Sequence, residues 1–203
     1  MRSASAFSRE EAAKLWNQFR AGKGDALGEL ISHYYHDLYA YGIRFTANAE
    51  LLKDCIQEIC LDLWKNRSTI SETGYVKFYL LKSLRRRLIR ELQKKKPEPL
   101  DEGTLFYAGY DRELPRESHI IRDEQLTALA LKMRELLNQL SRRQQEVIYL
   151  RFYMDADINE IAAIMSVSKQ SVYNHLHDAL KRLKALAGSL HMVVFLLLLR
   201  SYH

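Results

Sequence analysis

An all-α fold, made of two small helical domains joined by a flexible linker, is what this sequence predicts, and three observations carry the prediction. Apolar residues recur at spacings of three and four over most of the chain. Three prolines and eight glycines in 203 residues are too few for an all-β protein, which needs a turn about every ten residues. All three prolines (Pro97, Pro99, Pro115) fall with Gly103 and Gly109 in one stretch without an apolar period, where eight acids face three arginines between positions 97 and 124. The expected division is an N-terminal extension at 1–23, a helical domain at 24–96, a linker at 97–123, a domain with a helix-turn-helix at 124–188, and an apolar tail at 189–203.

In the first domain Leu27, Leu30, Ile31, Tyr34, Leu38, Tyr41 and Phe45 form one apolar stripe over about five helical turns. Asn48 is placed to cap a second helix whose buried face is expected to be Leu52, Cys55, Ile56, Ile59, Leu63 and Trp64. Gly74 marks the break before a third run, residues 75–96, with Val76, Tyr79, Leu80, Leu84, Leu88 and Leu92 as its apolar set. Past the linker, a helix at 124–139 turns Leu126, Leu129, Met133, Leu136 and Leu137 inward. Three start signals follow it: Ser141 with Gln144, Asp157 with Glu160, and Ser168.

Composition bounds the function. Apolar residues at 47% and charged residues at 28% place the chain among soluble globular proteins rather than disordered or membrane ones. A formal charge of +6 is compatible with a polyanion partner and equally with none. Cys55 and Cys60 are poorly placed for a disulfide and read as small core residues of a reducing compartment. The N-terminus lacks the apolar core of a secretion signal, so a cytoplasmic location is expected. The eight apolar residues at 192–199 fall short of the roughly 20 that cross a bilayer, and are expected to dock or to cover an apolar patch.

The most specific signal is INEIAAIMSVSKQSVYNHL, residues 158–176, which has the layout of a helix-turn-helix. Ala162 is small where two helices cross, Val167 plugs the turn, and Val172 and Leu176 bury the inner face of the second helix. Ser166 stands at the usual turn glycine, which costs left-handed strain. Outward on the second helix lie Lys169, Gln170, Ser171, Tyr173, Asn174 and His177, all able to reach base edges or phosphates. Lys181, Arg182 and Lys184 follow, as phosphate binders or simply as a solvated face.

In the first domain Lys82, Arg85, Arg86, Arg87, Arg90, Lys94, Lys95 and Lys96 are opposed only by Glu91, a net +7 in fifteen residues. Like charges at helical spacing repel unless an anion is bound, so this density points to a polyanion. Tyr75, Phe78 and Tyr79 sit just upstream, where aromatic rings can stack on unpaired bases or belong to the core. Asp54, Glu58 and Asp62 recur every four residues on the preceding helix, which marks a protein-binding face or serves solubility alone.

Taken together, these residues resemble the small extracytoplasmic-function (ECF) sigma factors of the sigma-70 family of bacterial RNA polymerase, over roughly residues 24–187. Residues 25–66 are similar to the family's region two, with Asp54, Gln57, Glu58 and Trp64 matching the motif that grips the clamp helices of the polymerase largest subunit; Asp62 extends that acidic face. VKFYLLKSLRRRLIREL resembles the part that captures and melts the minus-ten element, with Tyr79 at the common aromatic position and Arg86 in place of the usual asparagine. Residues 140–186 resemble region four, which binds the minus-thirty-five element and the polymerase flap; Asp178 stands where a basic residue is frequent. The resemblance implies core RNA polymerase and promoter DNA, duplex and melted, as partners, and a membrane-bound anti-sigma factor as inhibitor.

No Ser/His/Asp or Cys/His grouping, paired-carboxylate cleft or phosphate-cradling glycine loop occurs, so no enzyme activity, cofactor or small-molecule substrate is expected. His175 and His177 diverge on a helix, and His33 and His36 lack further ligands nearby, so no metal site is expected either. The competing reading is a free-standing helix-turn-helix regulator with an N-terminal sensing or dimerising domain. It accounts for the C-terminal half but gives no use to the basic run or the acidic helix.

Overall fold

The computed structural model describes residues 7–94, 105–106 and 135–201, with side chains as far as residue 185. Most of the expected linker, residues 124–134 of the helix read at 124–139, Lys95 and Lys96, and the side chains of the run 192–199 lie outside the described residues. The chain divides into two compact units, Met1–Glu98 and Pro99–His203. Among the described residues all regular structure is helical, and no helix is long and apolar enough to cross a membrane.

The first unit packs four helices: α1 (Arg9–Arg20), α2 (Gly24–Gly42), α3 (Ala49–Asn66) and α4 (Val76–Lys94). Residues 1–23 were expected to be an extension outside this domain; instead α1 is its first helix. The reason is local and tertiary at once. The Ser8 hydroxyl accepts from the Glu11 amide while the Glu11 carboxylate accepts from the Ser8 amide, a closed capping box. Ala12, Trp16 and Phe19 then recur on one face and are buried against α2 and α4. An aromatic side chain of that size withdraws about 150–250 Å² from water, enough to dock a twelve-residue helix that would be marginal alone.

Gly22, at φ +95°, makes the turn into α2. Leu27, Leu30, Tyr34, Leu38, Tyr41 and Phe45 are buried as the period requires. Gly42 lets α2 and α3 cross closely, because a Cβ there would overlap the Leu52 side chain. The Asn48 side chain caps α3 at the Leu51 amide, 3.0 Å. Trp64, expected on the buried face of α3, is instead 37% exposed at its edge, with the Arg67 guanidinium 4.5 Å over its ring.

In the second unit residues 135–138 are helical, followed by α5 (Arg142–Phe152), α6 (Ile158–Met165) and α7 (Lys169–Ser201). Ser141 with Gln144 and Asp157 with Glu160 form capping boxes, and the Ser168 hydroxyl accepts from the Ser171 amide, 3.1 Å. Leu136, Leu137, Leu140, Ile148, Ala179 and Leu183 make one core cluster. The buried Gln145 amide donates to the Leu137 and Leu140 carbonyls, 3.1 and 2.9 Å, which satisfies the end of the preceding helical turn. Phe106, in the stretch read as linker, is fully buried in this unit with its ring 6.0 Å from that of Tyr149. Between α6 and α7, Ser166 adopts φ 56°, ψ 43°, the left-handed conformation that the sequence position calls for.

Candidate nucleic-acid interface

The α6–turn–α7 pair presents the outward face of α7. Val172 is completely buried and Leu176 packs on the core cluster, which fixes the rotation of the helix. Gln170, Tyr173, Asn174, His177 and Lys181 therefore line one exposed stripe, with Lys169 and Arg182 on its flanks and Ser171 half-buried beside it. Tyr173 is 55% exposed. Gln170 Nε2 donates to Asn174 Oδ1 at 2.9 Å, so two amides are held side by side. His175 turns inward, and its burial, reinforced by Arg143, holds its pKa below the ordinary value.

The first unit offers a different shape. α3 and α4 enclose a groove of about 350 Å³. Ile59, Leu63 and Ile70 contribute its apolar surface, Asp62 and Asn66 add polar groups from α3, and Tyr79, Ser83, Arg86, Arg87 and Arg90 come from α4. Arg86 and Arg90, one turn apart, are exposed, and Lys82 continues their line half-buried. An apolar surface, one phenol ring and a cationic rim together fit a flat ring carrying an anion. Tyr75, 50% exposed, lies outside the groove with Arg9 4.8 Å over its ring, and Phe78 is half-buried.

Two of the cations expected in the strip are placed otherwise. Arg85 is only 3% exposed, because it shares the inward face of α4 with Leu81, Leu84 and Leu88. Arg87 bridges helices: Nη2 meets Glu58 Oε2 at 3.0 Å and Nη1 meets Asp62 Oδ2 at 3.1 Å, with Glu91 3.8 Å from Nε. Asp54, Gln57, Glu58 and Asp62 are all exposed on α3, so the acidic face exists, but two of its carboxylates are clasped by the basic helix. Burial pushes the Cys55 thiol up to about 11 and raises Cys60 as well, so both remain thiols at neutral pH.

Sequence reasoning missed the part played by α1, whose Trp16 ring lies 5.1 Å from that of Tyr79 and whose polar side chains reach residues 70–72. The signal was present in Ser8 with Glu11 and in the spacing of Ala12, Trp16 and Phe19.

Comparison with known proteins matches residues 30–98 to Sigma-70 region 2 and residues 130–183 to Sigma-70 region 4, together more than half of the chain. RNA polymerase sigma factor SigV of Bacillus subtilis (strain 168) is 26% identical over 155 residues, 76% of this chain and 86% of the relative. ECF RNA polymerase sigma factor SigL of Mycobacterium tuberculosis is 25% identical over 148 residues, 72% of this chain and 80% of the relative. ECF RNA polymerase sigma factor SigK of Mycobacterium ulcerans is 23% identical over 173 residues, 84% and 90% respectively. A solved structure of CnrH in complex with the cytosolic domain of CnrY superposes with a TM-score of 0.57 at 19% identity, covering 88% of this chain and 99% of that one, which shows the shared fold.

Proposed function

The chain belongs to the sigma-70 family, in its ECF group, and on that premise we propose how its two units divide promoter recognition and transcription initiation. The second unit lays the first turns of α7 in the major groove of the upstream, minus-thirty-five, element, where Gln170 and Asn174 read base edges and Lys169, Lys181 and Arg182 hold phosphates. The first unit receives an unpaired base of the minus-ten element in the groove between α3 and α4, against Tyr79, with Arg86 and Arg90 on the adjoining phosphates. Stacking on an aromatic ring is worth about 1–3 kcal/mol per base, comparable with the cost of unstacking a step, so trapping the flipped base drives strand separation. The role requires no covalent chemistry from the chain itself.

The observation that carries this reading is the groove, lined by apolar side chains with one aromatic ring and a cationic rim, and bounded on the α3 side by Asp62 of the exposed acidic face. Those acids, with Gln57 and the half-exposed Trp64, are proposed to bind the clamp helices of core RNA polymerase, and the second unit its flap. A membrane-bound anti-sigma factor and a cytoplasmic location are proposed with them; the complex of CnrH with a cytosolic domain supports the first.

The direct test mixes the purified chain with core polymerase and a promoter library. Sequence-selective transcripts are expected; duplex binding by the chain alone, with no transcripts, would contradict the reading. Asp54→Lys with Glu58→Lys is expected to abolish co-purification with core polymerase while helical content stays at the parent level, and unchanged co-purification would refute that assignment of the face.

A further inference from the structure

The loop between α3 and α4, residues 67–75, supplies Ile70 to the groove. Thr69 and Ile70 donate their amides to the Asn66 carbonyl, 2.9 and 3.1 Å, which ends α3. Beyond that point the chain is held from elsewhere. Arg20 Nε donates to the Ile70 carbonyl at 2.8 Å, Trp16 Nε1 to the Ser71 carbonyl at 3.1 Å, and Asn17 Nδ2 to the Glu72 carboxylate at 2.9 Å. Three consecutive loop residues are thus fastened by one turn of α1. That turn is itself pre-set: Arg20 Nη1 donates to Asn17 Oδ1 at 3.2 Å, and Trp16 and Phe19 are completely buried. The Trp16 ring also abuts Tyr79, the aromatic ring that lines the same groove.

We propose that α1 is the positioning element of the groove: Trp16, Asn17 and Arg20 hold Ile70–Glu72 and Tyr79 at a fixed separation, and that separation sets which unpaired base the groove admits. The proposal rests on the reading of the groove as the single-strand site. Its physical content is that a carbonyl without a partner seeks another donor, and Arg86 and Arg90 line the same groove as Ile70. With the Ile70 and Ser71 carbonyls satisfied by α1, the arginines stay available for phosphate and the loop keeps its shape when the groove is empty.

The variant that isolates this is Trp16→Phe with Arg20→Gln, which keeps a ring in the core and removes the Nε1–H and guanidinium donors. Holoenzyme carrying it is assayed with single-stranded oligonucleotides that match the non-template strand of a promoter recovered from the library, each with one base of the minus-ten element changed. Discrimination between the best and the substituted oligonucleotides is expected to fall about tenfold, the scale of two lost hydrogen bonds, while affinity for core polymerase is retained. Amide hydrogen exchange is expected to quicken in residues 67–75 and not in α3 or the α4 interior. Parental discrimination, or a uniform loss over all oligonucleotides with no change of loop exchange, would overturn the proposal. Tyr79→Ala with Arg86→Ala serves as the control. If that variant binds the oligonucleotides like the parent, the groove is not the single-strand site and both readings fall; if it loses them while the α1 variant keeps its discrimination, only the positioning role falls.

Discussion

The face of α7 proposed to read DNA is drawn from four turns of one helix, whereas the groove of the first unit is assembled from α3, the loop after it and α4, with α1 fastened to that loop. On α7 the polar side chains stand exposed, and in the proposed role they need only be presented, because a DNA major groove supplies the complementary concave shape. An unpaired base offers no such shape and has to be enclosed, so its walls must come from several elements. Charge follows the same division. On α7 the cations Lys169, Lys181 and Arg182 are exposed, while in the first unit Arg87 links the basic helix to Glu58 and Asp62 of the acidic one.

The comparison breaks most visibly at Trp16. Trp16→Ala empties the centre of the first unit and is expected to cost about 3–5 kcal/mol there. Segment-resolved hydrogen exchange is expected to locate the loss in residues 7–94 and leave α5 to α7 at parental protection. Asn174→Ala is next, at about 1–3 kcal/mol of base discrimination. Selection from the promoter library is expected to shift in the upstream element alone, with core binding unchanged. Smaller again is Arg87→Ala. Its two nearer carboxylate partners, Glu58 and Asp62, are about half exposed, so the network contributes on the order of 1 kcal/mol, less at high salt. Its substitution is expected to leave the salt dependence of oligonucleotide binding nearly unchanged, while Arg86→Ala lowers the slope by about 0.7. The smallest effect concerns pH. Burial lowers the pKa of His175 from 6.5, so the unfolded chain binds its proton more readily than the folded one. Stability from this group is complete above pH 6.5 and declines as the pH falls through the lower folded value; His175→Gln is expected to flatten that decline in thermal melts of the second unit.

Legibility in the sequence tracks the range of the interactions. Ser141, Asp157 and Ser168 announced helix starts because a cap acts within four residues, and the α7 face followed from Val172 and Leu176 by period alone. α1 carried the same kind of signal in Ser8 and Glu11, but what makes it part of the domain are partners 55 and 50 positions away, beyond the reach of any local pattern. A run of arginines cannot by itself rank its members. Spacing could have separated Arg85, four residues after Leu81 and three before Leu88, from the exposed Arg86 and Arg90. Arg87 could not have been assigned that way, because its two nearer carboxylate partners, Glu58 and Asp62, lie on another helix. Trp64 sits at the edge of the apolar stripe, where period is ambiguous and Arg67 decides how the ring is covered.

The division of labour is tested most directly by footprinting one promoter in complex with reconstituted holoenzyme, scoring upstream duplex protection and permanganate reactivity of the minus-ten strand on the same DNA. Gln170→Ala with Asn174→Ala is expected to remove the upstream protection while a premelted minus-ten bubble is still held; Tyr79→Ala with Arg86→Ala is expected to keep the protection and lose the reactive, open strand. Loss of both signals together in either variant would contradict two units working on two forms of DNA.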